Sequence, residues 1–114
     1  MLKLNQNLLC EYLKRNHTGR ENAALSKTLE AVFHIGGREI RRCVNALRCD
    51  GHPICSSSDG YFYAACKEEL GDTVTMLSSL INEISKARNG LLFSAKDLPD
   101  KNFIQINIIV NMEG

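Results

Sequence analysis

The chain has 114 residues, 44% of them hydrophobic, and a formal net charge of +1. That suits one compact domain, or a small domain with an appended segment. No apolar run approaches a membrane span, and the opening Met1-Leu2-Lys3-Leu4-Asn5-Gln6-Asn7 lacks the apolar core of a signal peptide, so the expectation is a cytoplasmic protein with no membrane partner.

The first predicted element is a helix over 4–15. Leu4, Leu8, Leu9, Tyr12 and Leu13 share one face, and Lys14 and Arg15 sit at its C-terminal end, where the helix dipole favours cations. The polar stretch 16–22, with Gly19, stops it. A second helix starts at Ser26, which reads as its N-cap, with Leu25, Leu29, Ala31, Val32 and Phe33 available for a buried face. It ends at His34-Ile35-Gly36-Gly37, where two glycines permit a steep reversal between helices. The third helix covers 37–50. Ile40, Cys43, Val44 and Leu47 fall on one side, while Arg38, Arg42, Asn45 and Cys49 point away and Arg41 lies at the edge. Gly51 is its expected left-handed C-cap. Pro53 blocks continuation, and Ile54-Cys55 and Tyr61-Phe62-Tyr63 read as short strands around a Ser56–Gly60 turn.

The predicted order is helix, helix, turn, helix, hairpin. Together with the text "GREN", a second helix bearing Ser and Leu, "GGREIRRCVNALRCDG", "PICS" and "GYFYA", residues 19–66 resemble the winged helix-turn-helix proteins carried by bacteriophages and prophages of Gram-positive bacteria. The expected class is α+β, mainly α: a winged helix-turn-helix domain over 1–66, made of three helices and a β-hairpin wing. A C-terminal helix and a terminal β-strand follow over 67–114. The resemblance implies that the third helix enters the major groove of double-stranded DNA and that the wing, Ser57, Ser58, Asp59 and Gly60, touches the backbone. Arg38, Arg42 and Asn45 would then contact bases, and Arg41 and Arg48 phosphates. Two features depart from that pattern. Cys49 lies on the exposed face, and the wing turn has no Lys or Arg.

Residues 67–88 predict a fourth helix, ended by Asn89-Gly90. Leu70, Val74, Leu77, Ile81 and Ile84 step by four and three, a heptad-like seam of about two heptads. It either packs on its own domain or pairs with a second copy as a homodimer. The run 103–111 alternates strictly, with Ile104, Ile106, Ile108 and Val110 on one face, and predicts a strand. Its unpaired backbone needs a partner, which is a hairpin with Leu91–Phe93, the wing, or a second copy.

The charge is uneven along the chain. Residues 1–66 hold nine Lys/Arg against six Asp/Glu, and residues 67–114 hold five against seven. Of the five cysteines, Cys10, Cys43, Cys49, Cys55 and Cys66, no two form a CxxC pair. They read as reduced thiols serving as small apolar residues, so neither metal nor cofactor is expected. His17, His34 and His52 sit at element ends, and no phosphate loop, nucleophile elbow or zinc-protease motif occurs. No enzyme is expected. Two function classes remain open. One is a DNA-binding protein, a transcriptional regulator or replication accessory acting as a dimer. The other is a winged module that binds a host protein, as a phage inhibitor of the anti-CRISPR kind would.

Overall fold

The computed structural model describes residues 2–99, with side chains from Gln6 onward; the calls on Ile104, Ile106, Ile108 and the strand over 103–111 lie outside the described residues. The chain is mainly helical with one antiparallel hairpin, an α+β arrangement. In order come α1 (Leu2–Asn16), a 3₁₀ turn (Arg20–Asn22), α2 (Ser26–Phe33), α3 (Gly37–Cys49), β1 (Ile54–Ser57), β2 (Gly60–Tyr63), α4 (Lys67–Ser94) and a second 3₁₀ turn (Ala95–Asp97). No helix among the described residues is long and apolar enough to cross a membrane. The chain divides into two compact units, Met1–Leu77 and Ser78–Gly114. The first turns of α4 thus fall in the same unit as the three helices and the hairpin.

The core of the first unit is the apolar side of three helices closed by the hairpin. Leu9 and Leu13 of α1, Leu29 of α2, and Ile40, Cys43, Val44 and Leu47 of α3 are all buried, with Ile54, Cys55 and Phe62 from the strands. Full burial of a Leu or Ile contributes about 1.5–3 kcal/mol, so the apolar spacing of α3 fixes which side of it faces outward. The other two faces are narrower than their sequences suggest. Leu8, Leu25 and Val32 are exposed, and Leu29 is the one fully buried residue of α2.

Both ends of α2 differ from expectation. Leu25, in extended backbone, is the N-cap of α2; Ser26 already lies in the helix, and its hydroxyl donates to Glu30 Oε2 at 2.9 Å. A serine one residue inside the helix finds a carboxylate one turn on, instead of the backbone N–H groups it would cap. The reversal between α2 and α3 rests on His34, in the left-handed region at φ 56°, while Gly36 is extended at φ −80°. Gly37 serves by being small, since a Cβ there would lie 3.1 Å from Glu30 Oε2. The C-terminus of α3 does follow the sequence. Gly51, at φ 93°, donates to the Arg48 carbonyl at 3.0 Å, and His52 N–H reaches back to the Leu47 carbonyl at 2.9 Å. These two bonds make a Schellman cap.

The hairpin pairs Ile54 with Tyr63, Cys55 with Phe62, Ser56 with Tyr61 and Ser57 with Gly60. Its turn is therefore Ser58-Asp59, shorter than the predicted Ser56–Gly60. Neither turn residue has a positive φ; that conformation falls to Gly60, at φ 122°. Gly60 also lies against the loop before α2, where a Cβ would come within 2.2 Å of the Ala24 carbonyl oxygen.

Both edges of this two-stranded sheet are occupied. On β2, Tyr61 exchanges two 2.8 Å bonds with Ala24; Tyr63 N–H donates to the His17 carbonyl at 2.8 Å, and its carbonyl accepts from Gly19 N–H at 2.9 Å. On β1, Ile54 N–H donates to the His52 carbonyl at 2.9 Å, and Arg48 Nε donates to the Ile54 carbonyl at 2.7 Å. The buried Thr73 hydroxyl of α4 accepts from Ser56 N–H at 3.3 Å and donates to the Ser56 carbonyl at 3.5 Å. Side chains thus replace the neighbouring strand that an edge otherwise invites.

α4 is longer than predicted. It runs through Asn89 and Gly90 to Ser94, so Leu91–Phe93, expected as a candidate strand, are helical. A glycine in a helix interior costs about 1 kcal/mol relative to alanine, and one such residue does not end a helix whose neighbours on both sides favour it.

Candidate nucleic-acid interface

α3 lies with one side in the core, so its remaining side faces solvent. Arg38, Arg41, Arg42, Asn45 and Cys49 are all exposed there. At 1.5 Å per residue, Arg38 and Asn45 are about 10 Å apart along the axis, the length of roughly three base-pair steps. No side chain caps the helix start, because the N-cap is Gly36. The first N–H groups of α3, the positive end of its dipole, lie in the same turn as Arg38 and about one turn before Arg41 and Arg42.

One cation of the set is partly neutralised. Arg42 Nη1 lies 3.1 Å from Glu39 Oε1, a pair three residues apart on the same helix. The other carboxylate oxygen, Glu39 Oε2, is buried and has no hydrogen-bond partner. It sits beside a shallow cavity of about 220 Å³ lined by Gln6, Arg42, Cys43 and Asn45 among others. Burial raises the Cys43 thiol pKa; the Glu39 carboxylate adds to that rise and Arg42 opposes it. Cys43 is therefore a core thiol held protonated.

Arg48 does not share the open face. It is half-buried, and besides the Ile54 carbonyl its guanidinium reaches Ser56 Oγ at 3.1 Å. Burial draws its pKa below the usual arginine value, while Tyr61 and Cys55 beside it pull the other way. An arginine bonded in this way to strand β1 braces α3 against the hairpin, at the position where a phosphate contact was expected. The wheel position of Arg48, at the edge of the outer face, is the side along which β1 returns.

At the hairpin tip, Ser58 and Asp59 are exposed, while Ser57 and Gly60 are half-buried. Asp59 N–H donates to Ser57 Oγ at 3.1 Å, which tightens the tip. The tip presents a carboxylate and hydroxyls, and Asp59 repels a phosphate.

Two residues that position this site carry no obvious mark in the sequence. Glu69, in the first turn of α4, accepts from Arg20 N–H at 2.9 Å and Ala65 N–H at 2.8 Å, tying the 3₁₀ turn to the start of α4. These two backbone bonds hold its carboxyl below the ordinary carboxylate pKa. Thr73, one turn further, closes the β1 edge. The spacing Cys66-x-x-Glu69 is that of a capping box without its Ser or Thr, the one local signal that could find Glu69. Along the rest of α4, Leu70, Val74, Ile81 and Ile84 of the expected seam are exposed and Leu77 is half-buried. Compared with known proteins, the chain matches no family model, no curated protein and no solved structure.

Proposed function

We propose that the chain is a winged helix-turn-helix protein that lays the outer face of α3 in the major groove of double-stranded DNA, as a regulator of transcription or an accessory of replication. One observation carries this reading. Arg38, Arg41, Arg42 and Asn45 are exposed together on a helix whose opposite side, Ile40, Cys43, Val44 and Leu47, is buried. A helix about 10–12 Å across fits a groove about 12 Å wide. Arg38 and Arg42, one turn apart, suit bidentate contacts with guanine; Asn45 suits adenine, and Arg41 suits a phosphate at the rim. The resemblance of residues 19–66 to phage-borne winged proteins supports the same reading. The wing contributes hydroxyl contacts from Ser57 and Ser58 and no cation.

The wing-tip carboxylate of Asp59 and the engagement of Arg48 by β1 count against phosphate contacts and favour a second reading, in which the same surface binds a host protein. A titration with random-sequence duplex separates the two. DNA reading predicts binding at low salt that weakens steeply as salt rises, by a logarithmic slope of about −0.9 per phosphate engaged. The double variant Arg38→Ala/Arg42→Ala should then fail to bind. If wild type and variant both fail at low salt, DNA reading is wrong and the protein-binding reading stands.

A further inference from the structure

α4 carries an apolar stripe that no described residue of its own unit buries. Within the second unit, Leu80, Ile81, Ile84 and Leu91 fall within about 100° of one another around the helix. They are 51%, 64%, 68% and 74% exposed. No described residue from Ser78 onward is buried. In proteins a helix takes most of its stability from packing an apolar face.

The stripe extends the seam that begins at Leu70. In heptad terms Val74 and Ile81 take one inner position and Leu70, Leu77, Ile84 and Leu91 the other. β-branched residues at the first position with leucine at the second favour two strands over three or four. Arg88 falls at the next first position, and a single charged residue there restricts register and strand number. The flanks carry no charge, with Ser78 and Ser85 on one side and Ala87 and Ser94 on the other. The ion pair of this stretch, Lys86 Nζ to Glu83 Oε2 at 3.7 Å, lies on the far face. An identical helix therefore meets small residues, complementary apolar ones and no like charge at the flanks.

From this we infer that the α4 stripe is the contact surface for a second copy of the chain, with two α4 helices pairing along it. The inference stands apart from the DNA reading, because it uses no residue of α3 and its test contains no DNA. Light scattering or sedimentation equilibrium of the full chain should give twice the 12.7 kDa chain mass. Ile81→Glu/Ile84→Glu should return the mass to 12.7 kDa while keeping the cooperative unfolding of the first unit. Leu91→Lys, one change near the helix end, should weaken the dimer without abolishing it, and guards against misfolding of the double variant. A wild type of single mass at the highest soluble concentration would overturn the inference and leave the stripe to a different protein or to the chain's own residues. A double variant that keeps twice the mass would overturn it too, since the pairing would then lie elsewhere.

Discussion

Replacing Arg48 with alanine separates a brace from a DNA contact. The guanidinium donates to the Ile54 carbonyl at 2.7 Å and to Ser56 Oγ at 3.1 Å, and the side chain is half-buried between α3 and β1. A hydrogen bond to a charged group contributes about 1.5–3 kcal/mol. Here water can enter and partly satisfy the abandoned carbonyl, which moves the loss toward the lower end. Packing lost along the arginine stem adds to it. A destabilisation of about 2 kcal/mol follows, or a fall in Tm of roughly 10 °C for a domain of this size. Arg38→Ala, at an exposed position without an assigned brace, should stay within about 0.5 kcal/mol of wild type. Urea unfolding followed by circular dichroism measures both. Under conditions where Arg48→Ala stays folded, its salt slope for DNA should match wild type. An Arg48→Ala protein as stable as wild type, with a salt slope reduced by about 0.9, would refute the reasoning and return Arg48 to the phosphate.

Gly60→Ala should cost at least about 3 kcal/mol, because a positive φ combines there with a Cβ aimed at the Ala24 backbone; thermal unfolding checks it, and a Tm near wild type would mean the hairpin can lift from Ala24. Glu69 sets a pH dependence whose sign is fixed by its partners. Its folded pKa lies below the usual 4.5 because the Arg20 and Ala65 N–H groups stabilise the carboxylate. Its contribution is thus complete above that value and disappears as pH falls through the depressed folded one. Glu69→Gln should be less stable than wild type at neutral pH, and the gap in urea midpoint should close in the acid range below 4.5; a gap independent of pH would deny the clamp its charge.

Much of the first unit was legible because its signals are local. The period of Ile40, Cys43, Val44 and Leu47 assigns both faces of α3, and Gly51 marks its end by a conformation that other residues resist. What stayed hidden depends on segments that meet only after folding. Nothing near Arg48 tells that β1 returns along its side of α3, and nothing near Thr73 tells that Ser56 needs a partner on an open edge. The reversal at His34 was assigned to the adjacent glycines because glycine is the default for a left-handed residue. Packing of Leu29 and Ile40 against a common core instead imposes it on a histidine, at a cost of about 1 kcal/mol. At Gly90 the local signal for stopping is weak, and the helix-favouring residues on both sides carry α4 through it to Ser94.

The central claim, that the outer face of α3 meets DNA, is tested most directly by following the backbone amide resonances of the nitrogen-15-labelled chain as a short duplex is added. The account predicts salt-sensitive shifts concentrated at Gly37–Cys49, with smaller ones at Ser57–Gly60 and little along α4. Shifts that spare α3 and gather on another element, or no shifts at low salt, would contradict it.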